Sequence, residues 1–166
     1  RAPSARDRSM KFKTRQVHAG VSPDPTTGAI LTPIYQSTTY VQESVDKYLA
    51  KGYSYTRSGN PTVSALESRL VSLEGGAGCA CFSTGMAATS AVLMAFLNAG
   101  DHVVLSDVIY GGTHRIATRV MTRFGVEFSF VDTSDINTVR TALRDNTRLI
   151  FTETPANPTL KLTDLA

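Results

Sequence analysis

Several things that would point to common classes of protein are scarce in this sequence. Its 166 residues hold only two cysteines and three histidines. No apolar run approaches the ~18 residues a membrane-spanning helix needs, so a membrane role is not expected. Charge of one sign is also scarce: 17 Lys and Arg against 14 Asp and Glu leave a formal +3. Outside the N-terminal tail the basic residues are scattered rather than striped, which argues against a nucleic-acid partner. Cys79 and Cys81 stand two apart on a strand expected over Gly78–Phe82, so both thiols share a face. Positions this close on one strand rarely form a disulfide, and without a nearby His they fall short of a zinc site. They read as buried thiols in a reducing compartment, and no metal site is expected. His18, His102 and His114 are dispersed and read as structural or solvated. There is no internal repeat.

What is present is ordinary globular material, 42% apolar and 19% charged, enough for a domain with a real core. Residues 1–13 are basic, small and without hydrophobic period, as in a solvated tail. From Thr14 to Gly59 the chain is rich in Thr, Ser, Pro, Gly and Tyr and reads as an extended arm with short helical pieces such as Glu43–Ala50. An arm with so little core of its own is expected to lie on a partner subunit.

Regular periodicity begins at Asn60, a cap before Pro61, and a helix runs through Val63, Leu66, Leu70 and Leu73 to Gly75 and Gly76. Next come a strand (Gly78–Phe82), a helix (Gly85–Leu97), a strand (His102–Ser106) and a helix (Gly112–Phe124). A strand (Val126–Val131), a helix (Asp135–Arg144, capped by Ser134) and a strand (Arg148–Thr152) follow. This alternation predicts an α/β domain over 60–166, a mostly parallel sheet sandwiched by helices. Leu162 to Ala166 read as the first turn of a helix cut short, as in a fragment.

The stretch Cys81–Thr89 carries the chemistry. A strand running into Ser83-Thr84-Gly85-Met86 and then a helix would aim free backbone N–H groups and a positive helix end at one spot, which suits an anion such as phosphate. Taken alone, the window reads first as an ordinary capped turn. Ligands in parallel sheets bind beyond the strands' carboxyl ends. There the chain also brings Asp107 to Gly112, with Tyr110 before two glycines, then Asp132 to Ser134, and Glu153 to Pro158 with Asn157 among prolines. An anion cradle, an aromatic face, hydroxyls and an amide suit a flat phosphorylated ring. On the arm, Tyr55 and Arg57, at i and i+2 of extended chain, could converge on a phosphate.

Taken together, these motifs resemble the N-terminal part of the Cys/Met-metabolism family of pyridoxal-phosphate enzymes, the γ-family of fold-type I. The likeness runs from Thr14 onward through Thr14–Gly20, Pro33–Thr38, Tyr55–Thr62, Ser83–Ala88, Tyr110–Thr113 and Glu153–Pro158. The resemblance implies pyridoxal 5'-phosphate as cofactor. It also implies roles by position: Ser83, Gly85 and Met86 at the phosphate, and Tyr55 and Arg57 reaching a neighbouring subunit's phosphate. Tyr110 would stack on the ring and move protons, Asn157 would meet the ring's phenolic oxygen, and Glu153 would support Asn157. Active dimers assembling to a tetramer, and a cytoplasmic setting, are implied likewise.

The family's cofactor-bearing lysine, its pyridinium-pairing aspartate and its substrate-carboxylate arginine have no counterpart in this chain. None of Lys11, Lys13, Lys47, Lys51 or Lys161 has the right context. The chain is therefore expected to be part of an enzyme and not to catalyse alone. Gly112 stands where methionine γ-lyases typically carry a cysteine, and bacterial-type cystathionine β-lyases usually lack Tyr-Gly-Gly. The stretch Asp107–Arg115 is most similar to γ-lyases and γ-synthases. The favoured expectation is cleavage of cystathionine to cysteine, 2-oxobutyrate and ammonia, with γ-synthase next. A non-catalytic phosphate-binding module and an inactive fragment are the readings from other classes.

Overall fold

A computed structural model of the chain describes residues 9–45, 47 and 52–165. It divides into two compact units, Arg1–Cys81 and Phe82–Ala166.

In the first unit, helix α1 (Phe12–His18) and helix α2 (Pro61–Glu74) pack together. Gly20 (φ 68°) permits the approach, because a Cβ there would lie 2.8 Å from the Ser68 Cβ. Arg69 fixes the contact, donating from Nε to the Ala19 carbonyl (3.2 Å) and from Nη2 to that of Val17 (3.1 Å). Asn60 caps α2 as expected, its Oδ1 accepting the Thr62 N–H at 2.8 Å. Its Nδ2 donates to the Tyr35 carbonyl (2.9 Å) and reaches Tyr40 Oη and Thr56 Oγ1, so one buried amide gathers three parts of the arm. Gly75, in the left-handed conformation at φ 67°, ends the helix.

Three expectations for this region are corrected. No strand forms over Gly78–Phe82. The segment Gly78-Cys79-Ala80-Cys81 has no β-branched residue, and the Cys81 N–H goes to Glu67 Oε1 (2.9 Å) rather than to a ladder. Cys79 and Cys81 are free and only half-buried, with partial desolvation pushing the Cys81 thiol pKa up. The helical piece expected over Glu43–Ala50 is not helical at Glu43–Val45, and residues 46 and 48–50 lie outside the described residues.

In the second unit, strands β1 (His102–Ser106), β2 (Glu127–Val131) and β3 (Thr147–Phe151) form a parallel sheet in the order β2-β1-β3. β1 is buried at all five positions, the pattern of a central parallel strand. Val103 and Leu105 pack with Leu93 and Leu97, at the end of helix α3 (Gly85–Phe96), and with Ala117 of helix α4 (Gly111–Arg119). Burying a leucine such as Leu93 or Leu105 contributes about 1.5–3 kcal/mol. His102, also buried, places Nδ1 2.8 Å from Thr147 Oγ1 and Nε2 2.9 Å from Ser129 Oγ. It is a structural residue that ties all three strands together.

The helix expected over Gly112–Phe124 breaks at Val120. α4 stops at Arg119 and a 3-10 turn, Met121–Phe124, follows. Thr118 and Thr122 each donate a hydroxyl to the carbonyl four residues back, an arrangement that bends helices. Helix α5 is shorter than expected, Ile136–Ala142, and is capped by Asp135 rather than Ser134. The Ser134 hydroxyl is engaged by the Asp132 carboxylate at 2.6 Å.

Candidate functional site

The sheet's carboxyl edge collects the residues singled out in the second unit. Thr84 caps α3, its Oγ1 accepting the Ala87 N–H at 3.0 Å, while the Ala88 N–H bonds the Thr84 carbonyl. The hydroxyl oxygen of Thr84 is thus used within the chain. The N–H groups of Gly85 and Met86 precede the helical ladder and remain for a ligand, beside the exposed Ser83. No acidic residue occupies the first turn to compete for them. A Cβ placed on Gly85 would meet nothing within 4 Å, so no neighbouring atom crowds that position.

Tyr110 stands at the start of α4 and is 58% exposed. A Cβ on Gly112 would fall 2.4 Å from Tyr110 Cε1 and 2.7 Å from Met86 Sδ. The tyrosine ring, the first turn of α3 and the first turn of α4 therefore converge on one glycine. The backbone N–H of Tyr110 donates to Glu153 Oε2 at 2.8 Å. The other oxygen, Oε1, receives the Asn157 N–H in a long contact of 3.5 Å. One carboxylate thus links the loops that present Tyr110 and Asn157. Asn157 lies in an exposed turn, and the Thr154–Pro155 and Asn157–Pro158 bonds are both cis.

Tyr55 and Arg57 belong to the first unit. Tyr55 forms an antiparallel bridge with Thr39, and residues 56–58 turn, which corrects the expected extended chain. The pair still meets, by another route: the Arg57 guanidinium carbon lies 4.8 Å from the Tyr55 ring centroid.

Within the second unit, sequence reasoning missed a cluster at the carboxyl ends of β1 and β2. Lys161 Nζ lies 2.8 Å from Asp132 Oδ1 and 3.2 Å from each oxygen of Asp107. Its hydrogen bond holds the Asp132 carboxyl at about 2, below the usual carboxylate range. The signal available was that Asp107 and Asp132 each directly follow a strand. The partner cation, however, is 29 residues beyond Asp132, a separation no local pattern reveals.

Open main-chain donors, an exposed tyrosine and an exposed asparagine stand at the edge of a parallel sheet in an α/β protein, groups of the kind that receive a planar, anionic ligand. With the Gly85 and Met86 N–H groups outside the helical ladder and no atom within 4 Å of a Cβ on Gly85, the start of α3 has donors and room for a phosphate group. Residues 13–166 match the model of the Cys/Met metabolism PLP-dependent enzyme family, and the chain belongs to that family. It is 51% identical over 156 residues to cystathionine gamma-lyase of Bacillus subtilis, covering 94% of this chain and 40% of that one. Cystathionine gamma-synthase of Mycobacterium tuberculosis is 48% identical (92% and 39% covered), and cystathionine beta-lyase of Lactococcus lactis 45% (93% and 40%). The crystal structure of metB from Corynebacterium glutamicum superposes with a TM-score of 0.89 at 48% identity, covering 95% of this chain and 41% of that one. The chain spans about two fifths of the length of these relatives. The family is one of PLP-dependent enzymes of Cys/Met metabolism, so its cofactor is pyridoxal phosphate.

Proposed function

We propose that this chain supplies the phosphate-binding half of a pyridoxal-phosphate carbon-sulfur lyase acting on cystathionine, in the cytoplasm. The observation that carries this reading is the convergence of Tyr110, Gly112 and Met86 at the start of α3, with Glu153 joining the Tyr110 and Asn157 loops. The Gly85 and Met86 N–H groups, with the Ser83 hydroxyl, hold the phosphate dianion at the positive end of α3. Tyr110 covers one face of the ring and, through its phenol, carries a proton to or from the substrate amine or leaving thiol. Asn157 donates its amide to the ring's phenolic oxygen, and Glu153 fixes the backbone that presents it. Arg57, backed by Tyr55, closes the phosphate site of a partner subunit, and active dimers assemble as tetramers. When bound, the cofactor supplies an electron sink for charge developing on the substrate.

The Asp107–Arg115 stretch supports γ-lyase and γ-synthase alike, and γ-lyase is placed first of the two. Identities of 51%, 48% and 45% to the three kinds of relative separate the reactions little. With cystathionine and water, scission at Cγ releases cysteine, 2-oxobutyrate and ammonia, and scission at Cβ releases homocysteine, pyruvate and ammonia. Product identification on the complete polypeptide carrying this chain therefore decides between γ- and β-lyase.

The binding test compares pyridoxal phosphate with pyridoxal by equilibrium dialysis. Three hydrogen bonds to a charged group, at about 1.5 kcal/mol each, predict roughly a thousandfold preference for the phosphate ester. Equal binding of the two would remove the phosphate site from the proposal.

A further inference from the structure

Lys161 lacks the sequence context of a cofactor-bearing lysine, yet it makes three oxygen contacts with two carboxylates. Asp107 directly follows β1 and lies three residues before Tyr110, and Asp132 directly follows β2. One ammonium thus joins the ends of two neighbouring strands to the segment that carries Asn157. That segment is closed on itself. The Ala156 N–H donates to the Lys161 carbonyl at 3.0 Å and the Leu160 N–H to the Ala156 carbonyl at 2.7 Å. Leu160 takes a φ of 55°, a conformation a leucine holds only where its surroundings impose it. Ala156 is fully buried. Beyond Lys161, the Thr163 N–H donates to Thr154 Oγ1 at 3.0 Å, and Thr163 Oγ1 meets Thr133 Oγ1 at 2.6 Å.

We propose that Lys161 is a positioning residue, which sets the Asn157 loop in register with the Tyr110 loop by gripping the carboxylates of Asp107 and Asp132. The loop is then fixed at both ends: Glu153 ties its start to the Tyr110 backbone, and Lys161 ties its end to the strand that leads to Tyr110. A single exposed ion pair would do little. Here one cation sits between two anions on separate strands, and the loop cannot shift without uncovering both. The functional half of this inference rests on the proposed cofactor reading. Lys161 touches none of the phosphate donors, so its loss loosens Asn157 and leaves phosphate capture intact.

The test uses K161M, K161R and D132N in the polypeptide carrying this chain, with backbone amide exchange read at Ala156, Leu160 and Thr163 and, for reference, at Val104 and Leu105. In K161M the loop amides should exchange about tenfold faster and the β1 amides unchanged, with K161R restoring protection. Parent-like exchange in K161M, or no rescue by K161R, overturns the proposal. Should K161M loosen β1 as well, D132N decides, since it keeps the lysine and removes one anion. Faster loop exchange in D132N supports the grip, and parent-like exchange refutes it. On the holoenzyme, K161M should keep the parental preference for pyridoxal phosphate over pyridoxal while kcat falls about tenfold, in line with the cost of misplacing a reacting group. A lost preference with kcat unchanged would refute the functional half. A parent that binds no pyridoxal phosphate would sink the cofactor reading alone, because the exchange measurements judge the grip without it.

Discussion

Replacing Gly112 by Ala tests how the Tyr110 ring is seated. The added methyl would fall 2.4 Å from Tyr110 Cε1, 3.0 Å from Cδ1 and 2.7 Å from Met86 Sδ. Carbon atoms settle at about 3.5–4.0 Å, so the ring edge must retreat by about 1.2 Å or the thioether must swing away. In a closed core such overpacking costs about 1–3 kcal/mol. Tyr110 is 58% exposed and can move toward solvent, which puts the cost at the low end. Alanine in a helix gains about 0.8–1 kcal/mol over glycine, so the two effects nearly cancel. Global stability should therefore change by less than about 1 kcal/mol while the ring is displaced. Two measurements separate these effects: a urea unfolding curve, and the methyl resonance of labelled Met86, whose shift reports a ring packed nearby. The expected result is an unchanged midpoint with a shifted Met86 signal and about tenfold weaker pyridoxal-phosphate binding. A Met86 resonance that stays put in a folded G112A protein would refute the seating of Tyr110 over Gly112.

Asn60→Ala removes a cap and leaves the Tyr35 carbonyl without its amide donor, so a loss of about 2–3 kcal/mol is expected in urea unfolding. A loss below about 0.5 kcal/mol would show that Asn60 does not gather the arm. His102 is kept neutral, its pKa lowered by burial first and by Arg144 second, against the opposing pull of Glu127. The unfolded chain takes up the proton near pH 6.5, so stability should fall as pH drops from there toward the lowered folded value. H102Q should flatten that slope, and an unchanged slope would assign it to other groups. Asp132 is held at about 2 by the hydrogen bond from Lys161, so its share of stability is complete above the unfolded value near 3.9 and is lost as pH falls through 2. In K161M the Asp132 carboxyl resonance should titrate closer to the ordinary value, and a midpoint still near 2 would exclude Lys161 as the cause.

The parts of the fold that were legible in the sequence are those decided locally. Strand β1 matches its expected bounds, His102–Ser106, because a short apolar run between turn residues has few other uses. Asn60-Pro61 and Gly75 mark the ends of α2 through capping chemistry that acts within a few residues. What failed depended on distant partners. The segment 78–82 has the apolar character of a strand, but the Glu67 side chain takes its Cys81 N–H. Ser134 has the chemistry of a cap, yet the Asp132 carboxylate engages its hydroxyl and Asp135 caps instead. The start of α3, Tyr110 and the Glu153–Asn157 loop could be nominated from motif and strand-end position. Which atom of each meets which could not: Glu153 grips a backbone N–H 43 residues away.

That grip has an evolutionary corollary. Glu153 reaches Tyr110 and Asn157 through their peptide nitrogens, not their side chains. Any residue except proline can stand at either position without severing the linkage. A lineage could therefore trade the phenol or the carboxamide for other reactive groups while the scaffold beneath keeps its shape, so new chemistries can be sampled here without first breaking the fold.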